Sequence, residues 1–252
     1  MSSKARDEVR EPLLKHMREL FVSIRWLIVF VFVGAAAGYI FSEAIVQWLQ
    51  VPFVSVMGHE AKLVFLSPFE KIWVHLRVAF WAGLLFVAPA LYGAIYYFVK
   101  PALLKHERRS LNGLLLVVLA VFWGGIFFAQ NYTVPLLLKA VMSFKSLNEA
   151  PFLALSPYIN MTLGAIIATA LLFELPVVMF FLSLMGWIPS RRWSSSRRMA
   201  IVVNALVSAV LSPPDVMSML VMMLPIHVLY EVGILVSRVA EWKRHDAHPN
   251  NS

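Results

Sequence analysis

The chain has 252 residues, 60% of them hydrophobic and only 14% charged, with a mean hydropathy of +0.74. A soluble domain carries about 25% charged residues, so a water-soluble globule is excluded and an integral membrane protein is expected. Lys and Arg number 22 against 14 Asp and Glu, a net charge of +8, but in such a chain the location of the charges says more than their sum, and no nucleic acid is implied. The absence of cysteine excludes a disulfide framework, a thiolate metal site and a cysteine nucleophile.

The N-terminal stretch MSSKARDEVREPLLKHMREL stays polar too long, and lacks the small-residue cleavage site, to be expected as a removable signal peptide. A helix needs about 20 apolar residues to cross the hydrocarbon core, and charge-free runs predict six such spans, an all-α polytopic architecture in a single membrane domain. The first is Trp26–Ser42, the second Val78–Val99, and the third lies within Ser110–Leu138. The fourth runs from about Tyr158 to about Met185 with one interruption at Glu174; the fifth and sixth are Met199–Leu211 and Val216–Val236. Between the last two stands SPPD, where Pro213 and Pro214 predict a tight turn and a final helical hairpin, with Asp215 capping the start of the sixth helix. At ~1.5 Å per residue the fifth run falls short of the ~30 Å core, which predicts a locally thinned bilayer unless both hairpin helices extend through Ser194–Arg198 and past Ser237.

Cationic residues set the orientation. They gather in the N-terminal segment up to Arg25, in the loop after the second span (Lys100, Lys105, Arg108, Arg109), in the loop after the fourth (Arg191, Arg192, Arg197, Arg198) and in the tail (Arg238, Lys243, Arg244). Both termini are therefore expected in the cytoplasm, residues 1–25 as an amphipathic segment and 237–252 as a tail. The opposite loops Glu43–His75 and Asn131–Pro157 carry apolar residues such as Trp48, Phe53, Phe65 and Phe69 and are expected to form interfacial or capping segments. There is no internal repeat, phosphate-binding glycine loop, HExxH pattern or nucleophile elbow; no enzyme, cofactor or metal is expected.

FVKPALLKHERR at 98–109, with KHMREL at Lys15–Leu20, FELP at Phe173–Pro176 and SPPDVMS at Ser212–Ser218, resembles the TatC subunit family of the twin-arginine protein translocase. The spacing Phe98-x-x-Pro101-x-Leu103-x-x-x-Glu107-Arg108 is the most specific part of the likeness, and Phe21 stands where the family usually has an arginine. The resemblance implies a six-span subunit of the inner (cytoplasmic) membrane that binds twin-arginine signal peptides. It implies TatA- and TatB-type single-span partners in a hetero-oligomer, and export of folded proteins driven by the proton gradient.

For Glu19 and Glu107 the residues alone allow two readings. They can balance a crowded basic surface, Glu19 pairing with Lys15 at helical spacing, or they can form an acceptor for guanidinium, whose planar fork pairs bidentately with carboxylate as lysine cannot. The resemblance implies the second, with Phe98 and Leu103 supplying apolar surface or shaping the loop and Pro101 ending the second helix. Glu174 sits inside a span, where an ionised carboxylate is costly. It is either protonated and hydrogen-bonded to a neighbour such as Thr169 or Asn204, or part of a polar patch that meets the transported chain or a partner helix. SRRWSSSRR reads as a positive-inside loop in contact with anionic lipid, Glu231 as a residue near the cytoplasmic end, and His227 with Met217, Met219, Met222 and Met223 as adaptable packing. The competing function is a proton-coupled secondary transporter of a small solute with Glu174 as the coupling acid; the missing inverted repeat speaks against it.

Overall fold

The computed structural model describes residues 25, 28–58, 60–99, 107–143, 153–211 and 216–247. The described residues are almost wholly helical. In chain order they form α1 (Ile28–Ile40), α2 (Ser42–Met57), α3 (Glu70–Val99), α4 (Glu107–Phe128), α5 (Val134–Ser143), α6 (Leu155–Phe173), α7 (Leu175–Leu184), α8 (Ser190–Ser195), α9 (Arg197–Leu211) and α10 (Val216–Ala247). Among them three stretches are long and apolar enough to cross a membrane, Leu116–Ser143, Leu155–Leu184 and Met219–Trp242, or four if α1 and α2, bent by 74°, count as one span. α3 and α9 carry the second and fifth expected runs.

The chain divides into two compact units. One takes the chain up to Gln47 together with Lys71–Leu115. Its described core is the crossing of α1 and α3, made close by glycine. A methyl group on Gly83 would stand 2.4 Å from the Ala35 backbone nitrogen, and one on Gly38 2.8 Å from the Ala79 carbonyl oxygen. In lipid, where apolar burial does not drive helices together, such backbone-to-backbone approach supplies the packing. The α1 sequence GAAAG at 34–38 is the small-xxx-small pattern that permits it. At the bend after α1, the Ser42 hydroxyl donates to the Tyr39 carbonyl at 2.7 Å and lies 2.8 Å from His75 Nδ1 of α3.

The other unit comprises Trp48–Glu70 and the chain from Leu116 on. Here proline chemistry explains the irregular helices. Pro52 inside α2 has no N–H for the Trp48 carbonyl, and Gln130 Nε2 donates to that carbonyl instead, at 2.6 Å. Beside it the Tyr158 hydroxyl donates to the Leu49 carbonyl at 2.5 Å, and the Phe53 ring meets Tyr158 edge-on at 5.5 Å. Gln130 can reach α2 because α4 and α5 are joined by a π turn, Ala129–Thr133, in which the Val134 N–H reaches back to the Ala129 carbonyl. Pro135 follows, so the ladder is interrupted there in any case, and an extra residue in one turn is the usual resolution. Gly125 brings α4 against Ala170 and Phe173 of α6.

These elements revise the two expected loops. Glu43–His75 is mostly helix, and of its four noted aromatics only Phe53 is buried, while Trp48, Phe65 and Phe69 are exposed. Asn131–Pro157 begins as the π turn and α5, so the third span continues to Ser143. The two segments do meet: the Val64 N–H donates to the Leu153 carbonyl at 3.1 Å and the Leu155 N–H to the Val64 carbonyl at 3.0 Å. At the other end α10 packs along α7 and α9, with Met179, Ala200, Tyr230 and Ile234 forming a buried core. The hairpin is unequal. α9 has 15 residues, about 22 Å at the helical rise, whereas α10 has 32, about 48 Å, and runs past Ser237 to Ala247, so the short-helix argument applies to α9 alone.

Candidate functional site

The expected recognition residues fall largely outside the described set. Glu19, Pro101 and Leu103 lie outside it, as do Pro213, Pro214 and Asp215, for which the sequence predicts a turn. The backbone of Phe98 falls in the last turn of α3 and that of Glu107 opens α4, with their side chains outside the described set. The position suits Glu107 physically, because a helix N-terminus carries partial positive charge and favours a carboxylate.

Glu174 is placed in full. It is 8% exposed and occupies the break between α6 and α7, with φ −73° and ψ −11°. Its N–H makes a tight bond to the Leu171 carbonyl at 3.2 Å, and the ladder resumes with the Val178 N–H on the Glu174 carbonyl at 2.9 Å. Pro176 causes the interruption: it lacks the N–H that a continuous helix would direct at Leu172. A buried carboxyl group therefore sits at a break in the helix, the arrangement by which spanning helices carry polar groups. The two neighbours expected of it have contacts of their own. Thr169 donates to Thr133 at 3.4 Å, and Asn204 Nδ2 lies 3.3 Å from His227 Nδ1 across the α9–α10 hairpin. His227 also stacks on Tyr230 at 6.4 Å.

Sequence reasoning missed two carboxylates that hold distant helix ends. Glu70 Oε1 accepts the Ser156 N–H at 2.7 Å and Oε2 the Leu66 N–H at 2.6 Å. Ser156 lies in the first turn of α6, whose N-cap residue Ala154 makes no side-chain capping bond, so α3 lends it an acceptor from 86 positions away. Glu241 does the same at the far end of α10: Oε1 accepts the Ser190 N–H at 2.6 Å and Oε2 the Ser190 hydroxyl, fixing the start of α8. α8 in turn is tied down by Trp193. Its Nε1 donates to Ser183 Oγ at 3.2 Å, and its carbonyl accepts the Tyr230 hydroxyl at 2.7 Å. Arg197 pairs bidentately with Glu231, both contacts 2.8 Å. SRRWSSSRR is thus a built corner as well as a basic loop. Where solvent reaches the ion pair its contribution is small, but it fixes the register of α9 against α10.

The Ser156 N–H, then the Leu66 N–H, hold the Glu70 carboxyl below the usual carboxylate range. Its folded pKa lies below its unfolded one, so the contact supports the fold fully above the unfolded value and is lost as pH falls through the folded value. Glu70→Gln should free one of the two amides and Glu70→Ala both. Hydrogen exchange at Leu66 and Ser156 at neutral pH checks this, since the parent should protect both and lose that protection only in acid. Unchanged protection in Glu70→Ala would remove Glu70 as the cap.

Residues 15–225 match the family model described as Sec-independent protein translocase protein (TatC). A relative from Magnetococcus marinus, the "Sec-independent protein translocase protein TatC", is 29% identical over 94% of this chain and 88% of its own length. The protein of the same name from Aquifex aeolicus is also 29% identical, over 92% of this chain and 97% of its own. The fold superimposes on a solved chain described as "Crystal Structure of Twin Arginine Translocase Receptor- TatC" with a TM-score of 0.76 and 29% identity, covering 89% of this chain and 99% of that one. With a family model spanning most of its length and a solved structure of the same shape, this chain belongs to the TatC family of Sec-independent protein translocases.

Proposed function

We propose that this protein is the signal-peptide-recognising core subunit of a twin-arginine translocase, exporting folded proteins across the inner membrane with the proton gradient as driving force. The likeness over nearly the whole chain to a solved chain described as a twin-arginine translocase receptor carries this reading. It favours the translocase over the small-solute transporter. In this reading the subunit spans the membrane six times with both termini cytoplasmic, and Pro213, Pro214 and Asp215 form the outward turn of the hairpin. Glu107 and Glu19 accept the two signal arginines, with Phe98, Pro101 and Leu103 shaping the loop. TatA- and TatB-type single-span subunits complete a hetero-oligomer, and no cofactor takes part. Equilibrium binding of matched Arg-Arg and Lys-Lys signal peptides to the detergent-purified protein tests the proposal. Preference for Arg-Arg supports it, and equal binding of the two defeats it.

Glu174 is the intramembrane polar contact for the transported chain or a partner helix. Glu174→Gln keeps shape and hydrogen bonding but cannot titrate, whereas Glu174→Ala also opens space and leaves polar partners unsatisfied. Gln should retain most export and Ala lose most of it if polarity is what matters; a requirement for the proton would disable both. Full export by both variants would reduce Glu174 to a tolerated buried acid.

A further inference from the structure

The turn that precedes α3 has a fixed backbone and bare side chains. Val64 is bonded on both sides to Leu153 and Leu155, the Leu66 N–H is held by Glu70 Oε2, and the Glu70 N–H donates to the Ser67 carbonyl at 3.1 Å. These bonds leave little freedom to turn the side chains inward, and Phe65, Leu66 and Phe69 are 56%, 77% and 67% exposed. Three large apolar groups held outward so close together form a patch that a surface facing water seldom keeps. The neighbouring helix indicates the medium that covers them. In the sequence, Trp73, Leu76 and Phe80 recur at helical spacing after Phe69, and Phe80 already lies in the apolar run Val78–Val99. Lys62 and Lys71 flank the turn with long stems and charged heads, suited to reach toward phosphate while apolar neighbours lie deeper.

We propose that Phe65, Leu66 and Phe69 form a rigid apolar tip seated in the boundary between headgroups and acyl chains of the adjoining leaflet. Its partner is the phospholipid bilayer, not another protein. Aromatic and aliphatic side chains beside cationic ones are the composition that this boundary selects. Because Glu70 also caps α6, the tip sets the depth at which the start of α6 sits. This docking needs the membrane but no signal peptide, so a failure of peptide recognition leaves it standing.

The chain has no cysteine, so one introduced thiol carries one label. Phe65→Cys, Leu66→Cys and Phe69→Cys, with Lys62→Cys as the polar reference and Phe80→Cys as the spanning reference, are nitroxide-labelled in the full chain and reconstituted in phosphatidylethanolamine–phosphatidylglycerol vesicles. Collision with oxygen against collision with a water-soluble nickel chelate reads depth. With the Phe80 label reading as lipid-exposed, the three tip labels should favour oxygen severalfold over the Lys62 label. Tip labels as open to nickel as the Lys62 label overturn the proposal. So do tip labels that leave water only when a second protein is added, for the covering surface is then protein.

Discussion

Gly83→Ala is expected to force α1 and α3 apart. The added methyl carbon would stand 2.4 Å from the Ala35 nitrogen and 2.7 Å from its Cα, and backbone atoms cannot swing aside as a side-chain end can. Overpacking of this kind costs about 1–3 kcal/mol, and more where both partners are main chain. Gly124→Ala is the paired control, since its methyl group meets nothing within 4 Å and alanine gains roughly 0.5–1 kcal/mol over glycine inside a helix. Thermal unfolding of the two variants in the same detergent should move in opposite directions. Equal melting of Gly83→Ala and parent would mean that the α1–α3 crossing is looser than the described geometry.

Glu107→Ala is expected to lower the affinity for an Arg-Arg signal peptide by about ten- to a hundredfold, the worth of one charge-assisted contact of ~1.5–3 kcal/mol. A Lys-Lys peptide, already weak because lysine lacks the bidentate fork, should lose much less, so selectivity shrinks together with affinity. Glu107→Gln separates charge from size, and the double change with Glu19 measures coupling, since two residues gripping one ligand need not be additive. The fold should survive these changes, because neither residue lies in one of the predicted spans. Equal binding of both peptides by Glu107→Ala and the parent would return Glu107 to charge balance among Lys105, Arg108 and Arg109.

The helical, membrane-embedded character of the chain was legible because lipid imposes a simple rule: charge leaves the sequence for about 20 residues at a time. Glu174 stood out for breaking that rule, and Pro176, two residues on, is the local reason the helix breaks there. GAAAG in α1 carried a readable packing signal as well, but charge boundaries alone do not reveal it, and nothing in α1 names Gly83 as its partner. The caps made by Glu70 and Glu241 leave no periodic trace, since each joins positions 86 or 51 apart and depends on how the helices assemble. SPFE places an acid in the first turn of α3, where it would be expected to serve its own helix. Glu107 remains ambiguous from residues alone because a lone acid among cations is electrostatically sensible with or without a ligand.

The bond between Gln130 and the carbonyl released by Pro52 ties two positions into one evolutionary unit. A descendant that replaces the proline first gives Trp48 its own helical donor and strands the Gln130 amide in the interior. A descendant that replaces the glutamine first strands the Trp48 carbonyl. One path leaves the buried Gln130 amide without its acceptor and the other leaves the Trp48 carbonyl without its donor, so the pair should be inherited together or lost together, and a lineage with only one of them should carry a compensating side chain nearby.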